Sequence, residues 1–106
     1  MKIGIIIETS EFEKAWNAFR FAVTAIKQEY EVKVFLMGEA VECQDLIHHK
    51  YNVDEQMRLF MNIGGEVLVC DTCMQARQLD STEACAVSTM VDCVEMVVWA
   101  DKTVTF

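Results

Sequence analysis

Residues Val67-Leu68-Val69-Cys70-Asp71-Thr72-Cys73-Met74-Gln75-Ala76-Arg77 decide how the rest of the chain is read. An apolar run stops at a cysteine, a second cysteine follows three residues later, and a polar, helix-forming segment carries on. The pattern predicts a buried strand that ends at a thiol and turns into a helix. Backbone N–H groups at a helix start point towards such a thiol and favour its thiolate, the form that reacts.

Upstream, Gly64-Gly65 punctuates the chain before this third strand, Glu66 to Cys70. Lys2 to Glu8 predicts a first strand. Its near-continuous Ile3, Ile5, Ile6 and Ile7 suit a strand covered on both faces. Ser10 with Glu13 forms a capping-box pattern, and Phe12, Trp16, Phe19, Val23, Ile26 and Tyr30 follow at helical spacing. Val32 to Met37 predicts a second strand, ended by Gly38. Glu39 to Lys50 predicts a helix with Ala40, Cys43, Leu46 and Ile47 on one side. Asn52 with Glu55 caps another, with Val53, Met57, Phe60 and Met61 on its apolar face.

Downstream, Ala84 to Val87 predicts a short strand. Ser88 or Thr89 caps a last helix, with Met90, Val91, Val94, Val97 and Val98 expected to face inward. Thr103 to Phe106 predicts a final strand. Strands and helices alternate with short connections, so residues 1–106 are expected to form one α/β domain, a mainly parallel five-stranded sheet with helices on both faces. Ligands of such sheets bind at the carboxyl ends of the strands. Those ends are Glu8, Thr9 and Ser10, then Gly38, then Cys70 to Cys73, then Ser88 and Thr89.

Composition narrows the function classes. The chain has 106 residues, 53% hydrophobic, with no proline and a net charge of −8, which argues against disorder. No run of Lys or Arg suggests nucleic acid or an anionic membrane as a partner. No segment approaches the roughly 18 apolar residues of a membrane span. The Ile3–Ile7 run is too short for a signal peptide, and a cytosolic location is expected. Five cysteines are not spaced as a disulfide framework and point to a reducing compartment.

Cys70-x-x-Cys73 has four readings: a nucleophilic or sulfur-carrying thiol at Cys70, a dithiol redox pair, half of a zinc site, or two structural cysteines. Zinc needs about four ligands. Cys43, Cys85, Cys93 and His48-His49 supply no second close cysteine pair, so no metal and no cofactor is expected. Cys43, Cys85 and Cys93 sit in apolar patterns that suit core packing, and His48-His49 suits a solvated helix surface. Asp71 has two opposed effects: it suits a helix cap, yet its charge would raise the Cys70 pKa. Arg77 suits an anionic substrate or an acidic neighbour equally. A thioredoxin-type site is excluded, since the chain has no proline to supply the cis-proline of that site.

Gly64-Gly65-Glu66-Val67-Leu68-Val69, the cysteine turn through Arg77, and the ending Ala100-Asp101-Lys102-Thr103-Val104-Thr105-Phe106 together resemble the DsrE-like proteins. That group includes the DsrE and TusD sulfur-relay subunits, and the likeness covers nearly the whole chain. The resemblance implies a three-layer α/β/α sandwich assembled as trimers, hexamers or mixed oligomers. It also implies a cysteine at the end of the third strand, here Cys70, that accepts persulfide sulfur and passes it on. Cys73 matches a second cysteine found in part of the family. Asp71 and Gln78 stand where glycine is common.

The leading expectation is a small sulfur-relay or persulfide carrier working with donor and acceptor proteins. Cys70 and Cys73 are its candidate reactive residues, and Asp71, Thr72, Arg77 and Ser10 its candidate binding residues. The alternatives are a dithiol redox or redox-sensing protein and a non-catalytic oligomeric binding module.

Overall fold

The computed structural model describes residues 1–79 and 85–106. Its strands are β1 (Lys2–Ile7), β2 (Glu31–Leu36), β3 (Glu66–Cys70), β4 (Ala86–Ser88) and β5 (Lys102–Thr105). Its α-helices are α1 (Phe12–Lys27), α2 (Val53–Asn62), α3 (Asp71–Ala76) and α4 (Met90–Trp99), and a 3-10 helix spans Gly38–Asp45. The strands form one sheet in the order β4-β3-β2-β1-β5, and every neighbouring pair is parallel. Ile3, Ile5 and Ile7 of β1 and Val32, Val34, Phe35 and Leu36 of β2 are all buried, as the unbroken apolar runs require.

The chain walks outward from β1 through β2 and β3 to β4, then crosses back past β1 to lay down β5. Right-handed crossovers in opposite directions put their helices on opposite faces. Thus α1 and α2 pack together on one face, and α4 lies against β1 and β4 on the other. Gly4 lets α4 approach, because a Cβ there would lie 3.3 Å from the Ala100 Cβ. The strand order, not the strand direction, reverses between β1 and β5, the kind of place where such sheets open a ligand crevice.

Several local expectations give way to neighbouring chemistry. Helix α1 is capped by Glu11, whose carboxylate accepts the N–H groups of Glu13 and Lys14, so the Ser10–Glu13 box does not form. Its buried face is Ala15, Ala18, Phe19, Ala22, Val23 and Ala25. Small side chains let the helix sit close to its neighbours, and Phe12, Trp16 and Tyr30 fall at the margin. The predicted helix over 39–50 is a 3-10 helix that stops at Asp45. Ala40 and Cys43 are buried as expected, but Ile47 is exposed. His48 and His49 therefore lie beyond the helix, stacked at 4.4 Å, with His48 Nδ1 accepting the N–H groups of Lys50 and Tyr51.

The Asn52 cap and the Thr89–Asp92 capping box both form. The fourth strand is Ala86–Ser88, and Ala84 of the expected span lies outside the described residues. The largest correction concerns α4, which buries Cys93 and Met96 and leaves Met90, Val91, Val94, Val97 and Val98 exposed. The sheet takes the narrower side of the helix.

Gly65 supplies a stability test. A Cβ there would fall inside the contact distance of the Phe60 ring, which is fully buried and packs on Phe19 at 6.3 Å. Gly65→Ala is expected to destabilise the fold by about 1–3 kcal/mol through overpacking. A urea midpoint at fixed protein concentration checks this, and an unchanged midpoint would contradict it.

Candidate functional site

Cys70 ends β3 in extended conformation and serves as the N-cap position of α3. It pairs in register with Ser88 of β4 and is only 3% exposed, more enclosed than a strand end at the sheet's rim suggests. Burial pushes its thiol up, the backbone N–H of Cys73 pulls it down, the Cys73 thiol raises it through a shared hydrogen bond and its charge, and the Thr72 N–H pulls it down. The first amides of the helix therefore favour the thiolate without making a capping hydrogen bond to this sulfur, and desolvation outweighs them.

Cys73 lies one turn further in and is half-buried, so it is the more accessible of the two. The Gly38 N–H donates to its Sγ at 3.2 Å. Gly38 has φ +57, a conformation natural to glycine, and there the chain leaving β2 can turn its amide towards the sulfur. The turn thus holds two interacting thiols, the inner one at the start of α3 and the outer one receiving an amide from the neighbouring strand end.

Arg77 meets an acidic neighbour and also faces open space. Its Nη1 donates to the Cys73 carbonyl at 3.2 Å, its Nε lies 3.9 Å from Glu42 Oε1, and its side chain also borders an open cleft. A half-exposed pair at that distance is weak, so the guanidinium retains donors for a ligand. Asp71 is the first residue of α3 rather than its cap. Its Oδ2 accepts from Gln75 Nε2 at 3.0 Å. Thr72 contributes its amide, with its side chain exposed. Ser10 donates to Glu39 Oε2 at 3.4 Å. Gln78 adopts φ +54, a left-handed position that glycine takes without strain.

The cleft has a volume of about 500 Å³. It opens at the carboxyl ends of β1, β2 and β5, where the strand order reverses. Glu8, Lys14, Glu39 and Arg77 give it two carboxylates and two cations, with Thr9, Gly38 and Phe106 between them. The sequence marked Glu8, Thr9 and Gly38 as strand-end residues. It gave no signal for Lys14, which reaches this rim only because α1 starts beside it.

Cys43, Cys85 and Cys93 are buried, as expected. Cys93 on α4 is pushed up by burial and by Cys70. Among the described residues no group of three or more His, Cys, Asp or Glu is placed to hold a metal ion, and no helix is long and apolar enough to cross a membrane. Burial pushes Cys43 up to about 12 and Cys85 up to about 11, from an ordinary value of 9.0. Above that ordinary value the unfolded chain releases two protons that the folded chain keeps. Their contribution is therefore full below it and falls as pH rises towards the folded values, by about 1.4 kcal/mol per pH unit for each thiol. A urea midpoint that falls between about pH 8 and pH 10, and falls less in Cys43→Val, is the expected result. Equal slopes would contradict it.

The model of the DsrE/DsrF-like family matches residues 1–106. The uncharacterised protein MJ0989 of Methanocaldococcus jannaschii is 33% identical over the whole of both chains. The uncharacterised protein MK0008 of Methanopyrus kandleri is 31% identical over 98% of this chain and 93% of its own. The crystal structure of the E. coli ychN protein superposes with a TM-score of 0.91 at 24% identity, covering 100% of this chain and 99% of that one. BT1422 of Bacteroides thetaiotaomicron, a conserved protein of unknown function, gives 0.80 at 17% identity over 99% and 94%. These two share the fold. The sheet order, the cysteine turn after β3 and the full-length family match lead to one conclusion: this chain belongs to the DsrE/DsrF-like family.

Proposed function

We propose that this protein is a persulfide carrier of a sulfur relay, working in the cytosol with a donor and an acceptor of sulfane sulfur. The observation that carries the reading is the pair of neighbouring thiols at one turn, one enclosed and one accessible, the outer one holding the Gly38 amide and the inner one influenced by the amides of Thr72 and Cys73. The Cys73 thiolate attacks the outer sulfur of a donor persulfide, R–S–SH. A new S–S bond forms at Cys73 Sγ, the donor's S–S bond breaks, and R–S⁻ leaves. Cys70 then attacks the same outer sulfur. Cys73 departs as the leaving thiolate and takes up the Cys70 proton, and the sulfur rests on Cys70 beside the Thr72 and Cys73 amides. An acceptor thiol completes the transfer by the same substitution. No step changes the overall oxidation state, and none needs a metal.

In this reading Cys70 holds the sulfur and Cys73 is its outer gate. A Cys73→Ser variant is expected to load at least about tenfold more slowly, because an enclosed thiol must then meet the donor directly. Time courses of loading check this. If Cys73→Ser loads at the wild-type rate, Cys73 is not on the route.

The carrier is further proposed to be a homo-oligomer. A helix that is apolar both towards its sheet and along a second, exposed stripe is suited to burial in a larger body. The exposed face of α4 begins two residues after Ser88, the register partner of Cys70, so assembly there would also wall the cysteine turn.

A further inference from the structure

The cleft at the sheet's reversal point is not explained by a simple carrier of inorganic sulfur. It is open, about 500 Å³ in volume, and split in charge: Lys14 and Arg77 against Glu8 and Glu39. That volume lies within the range of small-molecule sites. Two links tie it to the reactive turn. Gly38 borders the cleft and gives its amide to Cys73 Sγ at 3.2 Å, and Arg77 borders the cleft and gives a guanidinium N–H to the Cys73 carbonyl at 3.2 Å. The side chains of Lys14 and Glu8 make no hydrogen bond or ion pair among the described residues.

A purely anionic sulfur compound would meet two carboxylates here, and a purely cationic one would meet two cations. The charges are balanced for a molecule that carries both signs. An amino acid does so on a single carbon, and a thiol-bearing amino acid keeps its sulfur two bonds from that carbon.

Resting on the persulfide reading above, we infer that this cleft binds a zwitterionic amino-acid thiol or its persulfide and presents its sulfur to Cys73. Arg77 and Lys14 take the α-carboxylate, and Glu8 takes the α-ammonium. Glu39, with one oxygen held by Ser10 at 3.4 Å, supports the same pole. The sulfur step is the substitution already written. The Cys73 thiolate bonds to the outer sulfur of the amino-acid persulfide, its S–S bond breaks, and the amino-acid thiolate leaves and is protonated by water.

The test compares three donors on the whole protein: the persulfides of L-cysteine, of 3-mercaptopropionate, which lacks the ammonium, and of cysteamine, which lacks the carboxylate. The concentration for half-maximal loading is expected to be at least about tenfold lower for the cysteine compound, the factor expected for one charged hydrogen bond. Lys14→Ala and Glu8→Gln are each expected to erase most of that preference. Equal use of the three donors, or an equal shift of all three in the variants, would overturn the inference.

A chemistry-free measurement separates this result from the fate of the persulfide reading. S-methyl-L-cysteine is titrated into the Cys70→Ser/Cys73→Ser protein, and the amide NMR signals of Thr9, Lys14 and Gly38 are followed. Shifts that saturate, and weaken in Glu8→Gln, support the cleft even if no donor loads the wild type. Loading from all donors alike, with no saturating shift, would leave the carrier reading standing and remove the zwitterion site.

Discussion

Cys70→Ser is expected to abolish the persulfide that survives desalting. In the proposed relay Cys70 is where sulfur comes to rest. It is enclosed by β3, β4 and the start of α3, and amides of Thr72 and Cys73 face its sulfur. A persulfide there is shielded from solvent thiols. One left on Cys73 sits on the accessible side of the turn, where any thiol can remove it. Serine differs from cysteine by one atom and should leave the fold intact. The loss should therefore be complete without a change in thermal midpoint. Stable loading of Cys70→Ser at the wild-type level, with the added sulfur on Cys73, would reverse the two roles.

The second large effect is on assembly. Val94→Lys together with Val98→Lys is expected to convert the protein from an oligomer to a 12.1 kDa monomer. Val91 is 65% exposed and Val98 80%, and with Met90, Val94 and Val97 they form one continuous stripe. The opposite side of the helix, through Cys93 and Met96, already meets the sheet. Exposed apolar stripes of this kind mark contact surfaces, and a chain this short lacks the bulk to cover one internally. Val87 on the edge strand β4 extends the stripe. Placing charges at its centre forces desolvated cations into any interface built there. Sedimentation at micromolar concentration decides the matter. A wild type that is already monomeric would contradict the expectation.

The fold was largely legible in the sequence because its strands are nearly unbroken apolar runs and its connections are short. Ile3 to Ile7 and Val67 to Cys70 leave little choice beyond strands covered on both faces. What misled was amphipathicity read from size alone. In α1 the large aromatics suggested the buried face, whereas Ala15, Ala18 and Ala22 allow the closer packing. In α4 both sides are apolar, and nothing in spacing tells which side meets the sheet of the same chain and which awaits another. The segment after Gly38 keeps a helical pattern to Lys50, yet it settles as a 3-10 helix ending at Asp45.

The site shows the same division. Cys70 and Cys73 were found from the sequence because a strand end followed by a helix start is a local pattern. The amide that Gly38 gives to Cys73, and the approach of Lys14 to Arg77's cleft, join residues 35 and 63 positions apart. Such contacts follow from strand order, which local patterns do not encode. The bond between Asp71 and Gln75, one turn along, is local in the same way as the cysteine turn.

The carrier reading is tested most directly by intact-mass measurement of the reduced protein after treatment with a persulfide donor and desalting, with the modified residue mapped by peptide analysis. The expected result is one added sulfur atom, about 32 Da, on Cys70, removed again by an acceptor thiol. A loss of about 2 Da, with Cys70 and Cys73 joined, would establish a dithiol redox pair and contradict sulfur carriage.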